Sequence, residues 1–221
     1  MREEYFPFGE KELSWLKSRD PQLGTFISKM ERPKRKLLPD IFSGLVFYII
    51  SQQISAKAAE TEWTRFQAFF SPVTPETICR FTPEELQKCR TTRKRASYIR
   101  HIAELLSDES VDVEALHKAD DATFIREISK LPGIGEWTAQ MLLIHVLKRP
   151  DIISYRDLAV LRGMRMVYQV PDISREFFEE KRALYSPYAT TASIYFWAIS
   201  TGNYKTVHEG ASAVRVGKTT R

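Results

Sequence analysis

Three groups of residues in this chain have types and spacings that can do chemistry. The first is Leu131-Pro132-Gly133-Ile134-Gly135-Glu136-Trp137-Thr138-Ala139. Pro132 cannot continue a helix arriving from Lys130, and two glycines around one apolar residue make a tight turn with unshielded backbone. A new helix should open near Glu136. Amide N–H groups at a glycine turn that starts a helix attract anions, and a nucleic-acid phosphate suits them. Ile134 is placed to tuck between the two helices. Read from glycine and proline alone, the same string also serves as a plain connection between helices.

The second group is Tyr155-Arg156-Asp157-Leu158-Ala159-Val160-Leu161-Arg162-Gly163. Locally, Ser154 and Asp157 form the Ser-x-x-Asp pattern of a capping box. A carboxylate at a helix N-terminus is also favoured in its charged form by the helix dipole. A fixed carboxylate of this kind can stabilise positive charge that develops nearby in a reaction. The third group is aromatic. Ser186-Pro187-Tyr188-Ala189-Thr190-Thr191-Ala192-Ser193-Ile194-Tyr195-Phe196-Trp197 reads as a buried helix. Trp197 there is either a core residue or a face for a cationic ring, which an indole attracts.

Together, the hairpin string and the aspartate downstream resemble the helix-hairpin-helix DNA glycosylase superfamily, which carries a Gly/Pro-rich segment and a catalytic aspartate. The resemblance covers about Pro39 to Ile199 and is nearest to the alkylation-repair type, DNA-3-methyladenine glycosylase II. It implies that Asp157 is catalytic and that Trp197, Trp137, Met141 and Leu158 line the base pocket. Ala159 and Leu161 depart from the family's aspartate neighbourhood, and Ala189 stands where an arginine is common. Gln52-Gln53-Ile54-Ser55-Ala56-Lys57-Ala58-Ala59 resembles the corner that wedges into the duplex. That places the wedge on Gln53, with Gln52 bracing it, although two amides in an apolar helix could also simply bridge helices. Gly133, Ile134, Gly135 and Thr138 complete the implied DNA contacts. The carbonyls of Ser129, Leu131 and Ile134 are the implied ligands of a sodium or potassium ion. Bifunctional relatives carry a Schiff-base lysine in the second hairpin helix. Trp137 stands at that position here, and the next lysine is Lys148, so base removal without strand cleavage is expected.

The elements that must position these residues are helical. Thr74-Pro75, Thr82-Pro83 and Ser186-Pro187 each read as a cap followed by a first-turn proline, and Thr82 with Glu85 as a capping box. Helices are expected over Ile41–Ser55, Asp120–Lys130, Glu136–Lys148 and Tyr188–Ser200, among about ten in all. No alternating strand pattern is evident. The expected class is all-α, in two helical subdomains of roughly 40–130 and 1–39 plus 131–205. The hairpin falls at 120–148, the active site lies in the cleft between the subdomains, and a flexible tail follows from 206. The compact catalytic form is expected, without the additional N-terminal β-rich domain of some relatives.

Composition bounds the partners. The 221 residues include 33 Lys and Arg against 28 Asp and Glu, a formal charge of +5, which suits double-stranded DNA only weakly by itself. Lys34-Arg35-Lys36 and the group Arg90, Arg93, Lys94, Arg95 and Arg100 are either solvated surface or phosphate contacts. Two cysteines, Cys79 and Cys89, cannot build a four-cysteine zinc or iron–sulfur site. No required cofactor, no membrane association and a monomer are expected. The location would be cytoplasmic in a bacterium or nuclear in a eukaryote. Two other functions remain open at this point: a glycosylase for oxidised or deaminated bases, and a non-catalytic DNA-binding hairpin protein. Asp157 argues against the latter.

Overall fold

The computed structural model describes residues 4–202; the expected tail from 206 lies outside them. Among the described residues the regular structure is helical, with no β-strand. Helices α1 (Glu10–Arg19) and α2 (Pro21–Lys29) are followed by α3 (Ile41–Ser51), α4 (Ala56–Phe69), α5 (Pro75–Ile78) and α6 (Pro83–Leu86). After a 3-10 turn at Gln87–Cys89 come α7 (Arg93–Ser107), α8 (Val113–Lys118), α9 (Asp121–Ile128) and α10 (Glu136–His145). The described chain ends with α11 (Leu158–Tyr168), α12 (Arg175–Tyr185) and α13 (Ala189–Ser200). None of these helices is long and apolar enough to cross a membrane.

Side-chain caps set most of the helix starts. Asp40 accepts from the Ser43 amide at 2.8 Å to open α3, and Asp120 from the Thr123 amide at 2.9 Å to open α9. Thr82 and Glu85 exchange the two bonds of a capping box at α6, each such cap contributing about 1 kcal/mol. Two expected helices end differently. The Ile41 helix stops at Ser51, because Gln53 takes a left-handed φ of 59° and Ser55 then caps α4. Gln52 and Gln53 therefore lie on a loop, not inside an apolar helix. Ser186 does not cap the last helix; α13 opens at Ala189.

The chain divides into two compact units. Within the described residues one comprises 4 and 36–148, the other 5–35 and 149–202. The sequence had suggested a boundary near 130, through the hairpin. The whole hairpin instead belongs to the first unit, because α10 packs on α9 and on α3. Helix α3 is buried almost all round, and Gly44 lets α10 approach it: a methyl there would lie 2.5 Å from Leu142 Cδ2.

In the second unit α11 and α13 form the tightest helix pair. Their closest approach is at Gly163, where a Cβ would lie 2.3 Å from the Phe196 carbonyl oxygen. A second node is polar. Asp20, buried, caps α2 through the Leu23 amide at 3.0 Å. It also accepts hydrogen bonds from the hydroxyls of Tyr168 on α11 and Tyr185 on α12, the latter at 3.3 Å. One carboxylate thus fastens three helices while satisfying its own burial.

Gly163→Ala is expected to force α11 away from α13, since a backbone carbonyl cannot yield as a flexible side chain does. Overpacking of this kind costs about 1–3 kcal/mol, a fall in melting temperature of about 2–12 °C for a chain of this size. Thermal unfolding followed by circular dichroism checks it; an unchanged midpoint would contradict the packing described.

Candidate functional site

The segment preceding α11 is fastened to the start of α13 by side chains. Asp151 accepts from the Ala189 amide at 3.1 Å and from the Ser186 hydroxyl at 2.7 Å, so it supplies the cap that α13 otherwise lacks. The Ile152 amide donates to Thr190 Oγ1 at 2.9 Å, and the Ser193 hydroxyl donates to the Ile152 carbonyl at 2.9 Å. Both hydroxyls are buried. Asp151 is thereby committed to the start of α13.

Asp157 is itself the N-cap of α11. Its Oδ1 accepts from the amides of Ala159 at 2.9 Å and Val160 at 3.1 Å. Its Oδ2 accepts from the indole Nε1 of Trp197 at 3.0 Å. Ser154 is not the cap that the Ser-x-x-Asp pattern suggested. Its hydroxyl accepts from the Arg156 amide, and its carbonyl from the Asp157 amide, forming the turn that delivers Asp157. The carboxylate is only 5% exposed and the indole 8%. Bonds of this kind to a carboxylate are stronger than neutral ones, and they fix both oxygens before any substrate arrives. The guanidinium of Arg35 stands 4.4 Å from the centroid of the Trp197 ring.

The other residues implied for the base pocket are divided between the two units. Leu158, next to Asp157 at the start of α11, is 75% exposed. Trp137 and Met141 belong to the first unit. Trp137 packs edge-on against Tyr48, with centroids 5.7 Å apart, and Met141 is buried on α10.

The hairpin in the first unit is built from α9, a turn and α10. Gly133 has φ +78°, and a methyl there would lie 2.4 Å from the Tyr98 ring. Gly135 differs: its φ of −105° suits any residue and a methyl would meet nothing within 4 Å. Gly135 is the N-cap of α10, and no side chain caps that helix. Ile134 is buried and its amide donates to the Leu131 carbonyl at 3.1 Å. Thr138 is 5% exposed, so its side chain offers no surface to a phosphate, and only its backbone remains for that role.

Gln52 ties the neighbouring loop to this turn, its Nε2 donating to the Gly133 carbonyl at 2.8 Å. Arg95 donates to the Gln52 carbonyl in turn, and Lys94 lies over the Tyr98 ring at 5.7 Å. The hairpin turn, the Gln52–Gln53 loop and the basic start of α7 are therefore one surface. Gln53 stands on it exposed, in a left-handed conformation. The sequence offered no sign of the Tyr98 contact or of Arg35 on Trp197, since both join residues distant in the chain. Both cysteines are free, and burial pushes the Cys89 thiol up to about 11. Among the described residues no group of three His, Cys, Asp or Glu could hold a metal ion.

Comparison with known proteins places this geometry in context. The family described as HhH-GPD superfamily base excision DNA repair protein matches residues 46–187. DNA-3-methyladenine glycosylase 1 of Schizosaccharomyces pombe is 27% identical over 175 residues, covering 76% of this chain and 77% of that protein. DNA-3-methyladenine glycosylase of Saccharomyces cerevisiae is 29% identical over 158 residues; the match covers 66% of this chain and only 53% of the yeast protein. The crystal structure of DNA-3-methyladenine glycosidase from Bacillus halodurans superposes with a TM-score of 0.72 at 28% identity, covering 90% of this chain and 93% of that one.

The two hairpin glycines should respond differently to alanine. Gly133→Ala combines a positive φ with a collision against Tyr98 and is expected to cost about 1–3 kcal/mol. Gly135→Ala should leave stability within about 0.5 kcal/mol. Denaturant unfolding of the two variants separates them, and equal losses would contradict the turn geometry.

Proposed function

The chain belongs to the HhH-GPD superfamily of base excision DNA repair proteins, and from that premise we propose that it is a DNA glycosylase that removes alkylated purines. The 3-methyladenine and 7-methylguanine class is the substrate, and no strand cleavage follows, as in the DNA-3-methyladenine glycosylase II type. The observation that carries this reading is the Asp157 carboxylate, buried and held by two backbone amides and the Trp197 indole. Scission of the N-glycosidic bond sends its electron pair to the departing base and leaves positive charge on the sugar. A carboxylate fixed beforehand stabilises that charge without reorganising. Water then adds to the sugar carbon and releases its proton, leaving an abasic site.

The base must leave the duplex to reach such a group, at a cost of a few kcal/mol. Gln53 is the candidate wedge that fills the gap, braced through the bond from Gln52 to Gly133. The uncapped start of α10 and the cationic start of α7 would hold the phosphate backbone of double-stranded DNA. The turn also has oxygens suited to a monovalent cation. The Ser129 hydroxyl is buried with no hydrogen-bond partner, and the carbonyls of Ser129, Leu131 and Ile134 would be the ligands of sodium or potassium. Such an ion would add positive charge opposite a phosphate. Trp137, packed on Tyr48, occupies the position from which a lysine would attack the sugar in bifunctional relatives. The reading assigns a monomer, cytoplasmic in a bacterium or nuclear in a eukaryote.

Incubation with methylated, oxidised and uracil-containing duplexes, followed by chromatography of free bases, tests the proposal. Release from the methylated duplex, with an uncut strand and no adduct trapped by borohydride, is expected. Release only from the oxidised duplex, or a trapped adduct, would overturn it. Binding to undamaged duplex should weaken by about 10³-fold or more between 50 and 200 mM salt if several phosphates are contacted. Gly135→Ala should lower that affinity by placing a methyl at the start of α10.

A further inference from the structure

Arg95, the third residue of α7, differs from its two basic neighbours. Arg93 and Lys94 are exposed, while Arg95 is half-buried. Thr92 fixes its backbone by accepting from the Arg95 amide at 3.3 Å. Its guanidinium donates to the carbonyl of Gln52. One turn further along the same face of α7, the Tyr98 ring stands against the hairpin at Gly133. The other end of Gln52 is held as well, since its Nε2 donates to the Gly133 carbonyl at 2.8 Å.

The Gln52 carbonyl belongs to the peptide unit that joins Gln52 to Gln53. A bond to it restrains the orientation of that unit, and with it the φ of Gln53, which is 59°. A residue with a Cβ is disfavoured in this left-handed region, so the conformation has to be held by its surroundings. Arg95 supplies a charged donor, whose hydrogen bonds are stronger than neutral ones. The bond lies inside the protein and is made without DNA. That sets Arg95 apart from Arg93 and Lys94, whose exposure leaves them available to phosphates.

We propose that Arg95 is a positioning residue for base extrusion: by holding the peptide between Gln52 and Gln53, it keeps Gln53 set to enter the duplex before DNA arrives. The proposal rests on the reading that Gln53 fills the gap left by the flipped base. It has a consequence that a phosphate contact lacks. A preset wedge helps most where the base is costly to extrude, and least where the base is already unpaired. A cation that binds phosphate helps both cases alike.

The test compares single-turnover release of 7-methylguanine opposite cytosine with its release opposite an abasic-site analogue, at saturating enzyme. Wild type, Arg95→Met, Arg95→Gln, Gln53→Ala and the double variant of Arg95→Met with Gln53→Ala are measured side by side. The ratio of paired to unpaired release is independent of the folded fraction, because both duplexes see the same active enzyme. Arg95→Met and Arg95→Gln are each expected to lower that ratio by about tenfold, the scale of one lost hydrogen bond from a charged donor. Gln53→Ala should lower it at least as far. The double variant should stay within about twofold of Gln53→Ala, because Arg95 acts through Gln53. An unchanged ratio in both Arg95 variants overturns the proposal, and so does a double variant in which the two losses multiply. Binding of Arg95→Met to undamaged duplex should keep the wild-type salt dependence; a slope shallower by about one marks a phosphate contact and overturns the proposal too. If Gln53→Ala leaves the ratio unchanged, the wedge assignment fails and the proposal with it. If wild type releases the base from neither duplex, the alkylated-purine reading itself fails, and this proposal falls with it.

Discussion

The hydrogen bond from the Trp197 indole to Asp157 is the interaction on which the second unit is organised. It requires α11 and α13 to approach until the Gly163 Cα meets the Phe196 carbonyl. It also requires the chain before α11 to be pinned to the start of α13, which Asp151, Thr190 and Ser193 accomplish. A buried carboxylate without partners would be costly. Here each oxygen accepts a hydrogen bond in a nearly water-free place. That is the condition under which electrostatic help to a developing cation is strongest. The same arrangement brings an aromatic face next to the charge.

The first unit manages the opposite sign. Arg93, Lys94 and Arg95 occupy the first turn of α7, where the helix dipole disfavours cations by about 0.3–1 kcal/mol each. Gln53, which is not glycine, takes a positive φ. Local costs of this sort gather where structure serves a partner, and a polyanionic strand would offset them. The cross-links through Gln52, Arg95 and Tyr98 make the turn, the loop and the helix start a rigid unit. A phosphate backbone would then meet a preformed surface.

Much of this was legible in the residues. The all-helical class follows from caps and spacing, and the hairpin from Pro132, Gly133 and Gly135. Asp157 stood out because a helix start and a distinctive upstream turn coincided. What stayed hidden was non-local. Asp157 reads locally as a cap and does cap α11, but its bond to an indole far along the chain has no local sign. Gln52 and Gln53 looked like helix interior, because nothing local announces a left-handed residue that is not glycine. Thr138 and Leu158 share motifs with functional residues, but one is buried and the other projects into solvent. Arg35 belongs to a basic run that reads as uniform surface until the fold lays it on Trp197.

The central claim is that the charge of Asp157, not only its capping bonds, does the work. Asp157→Asn isolates that charge. An asparagine oxygen still accepts the two amides of α11, while its NH2 group faces the Trp197 N–H, a loss of about 1–3 kcal/mol that unfolding can measure. Single-turnover base release from methylated duplex is then compared with duplex binding for the folded variant. The account predicts binding within about threefold of wild type and release slower by about 10²-fold or more, the scale of one lost preorganised electrostatic group. Release above about half the wild-type rate would contradict it, because the loss of such a group cannot be that mild.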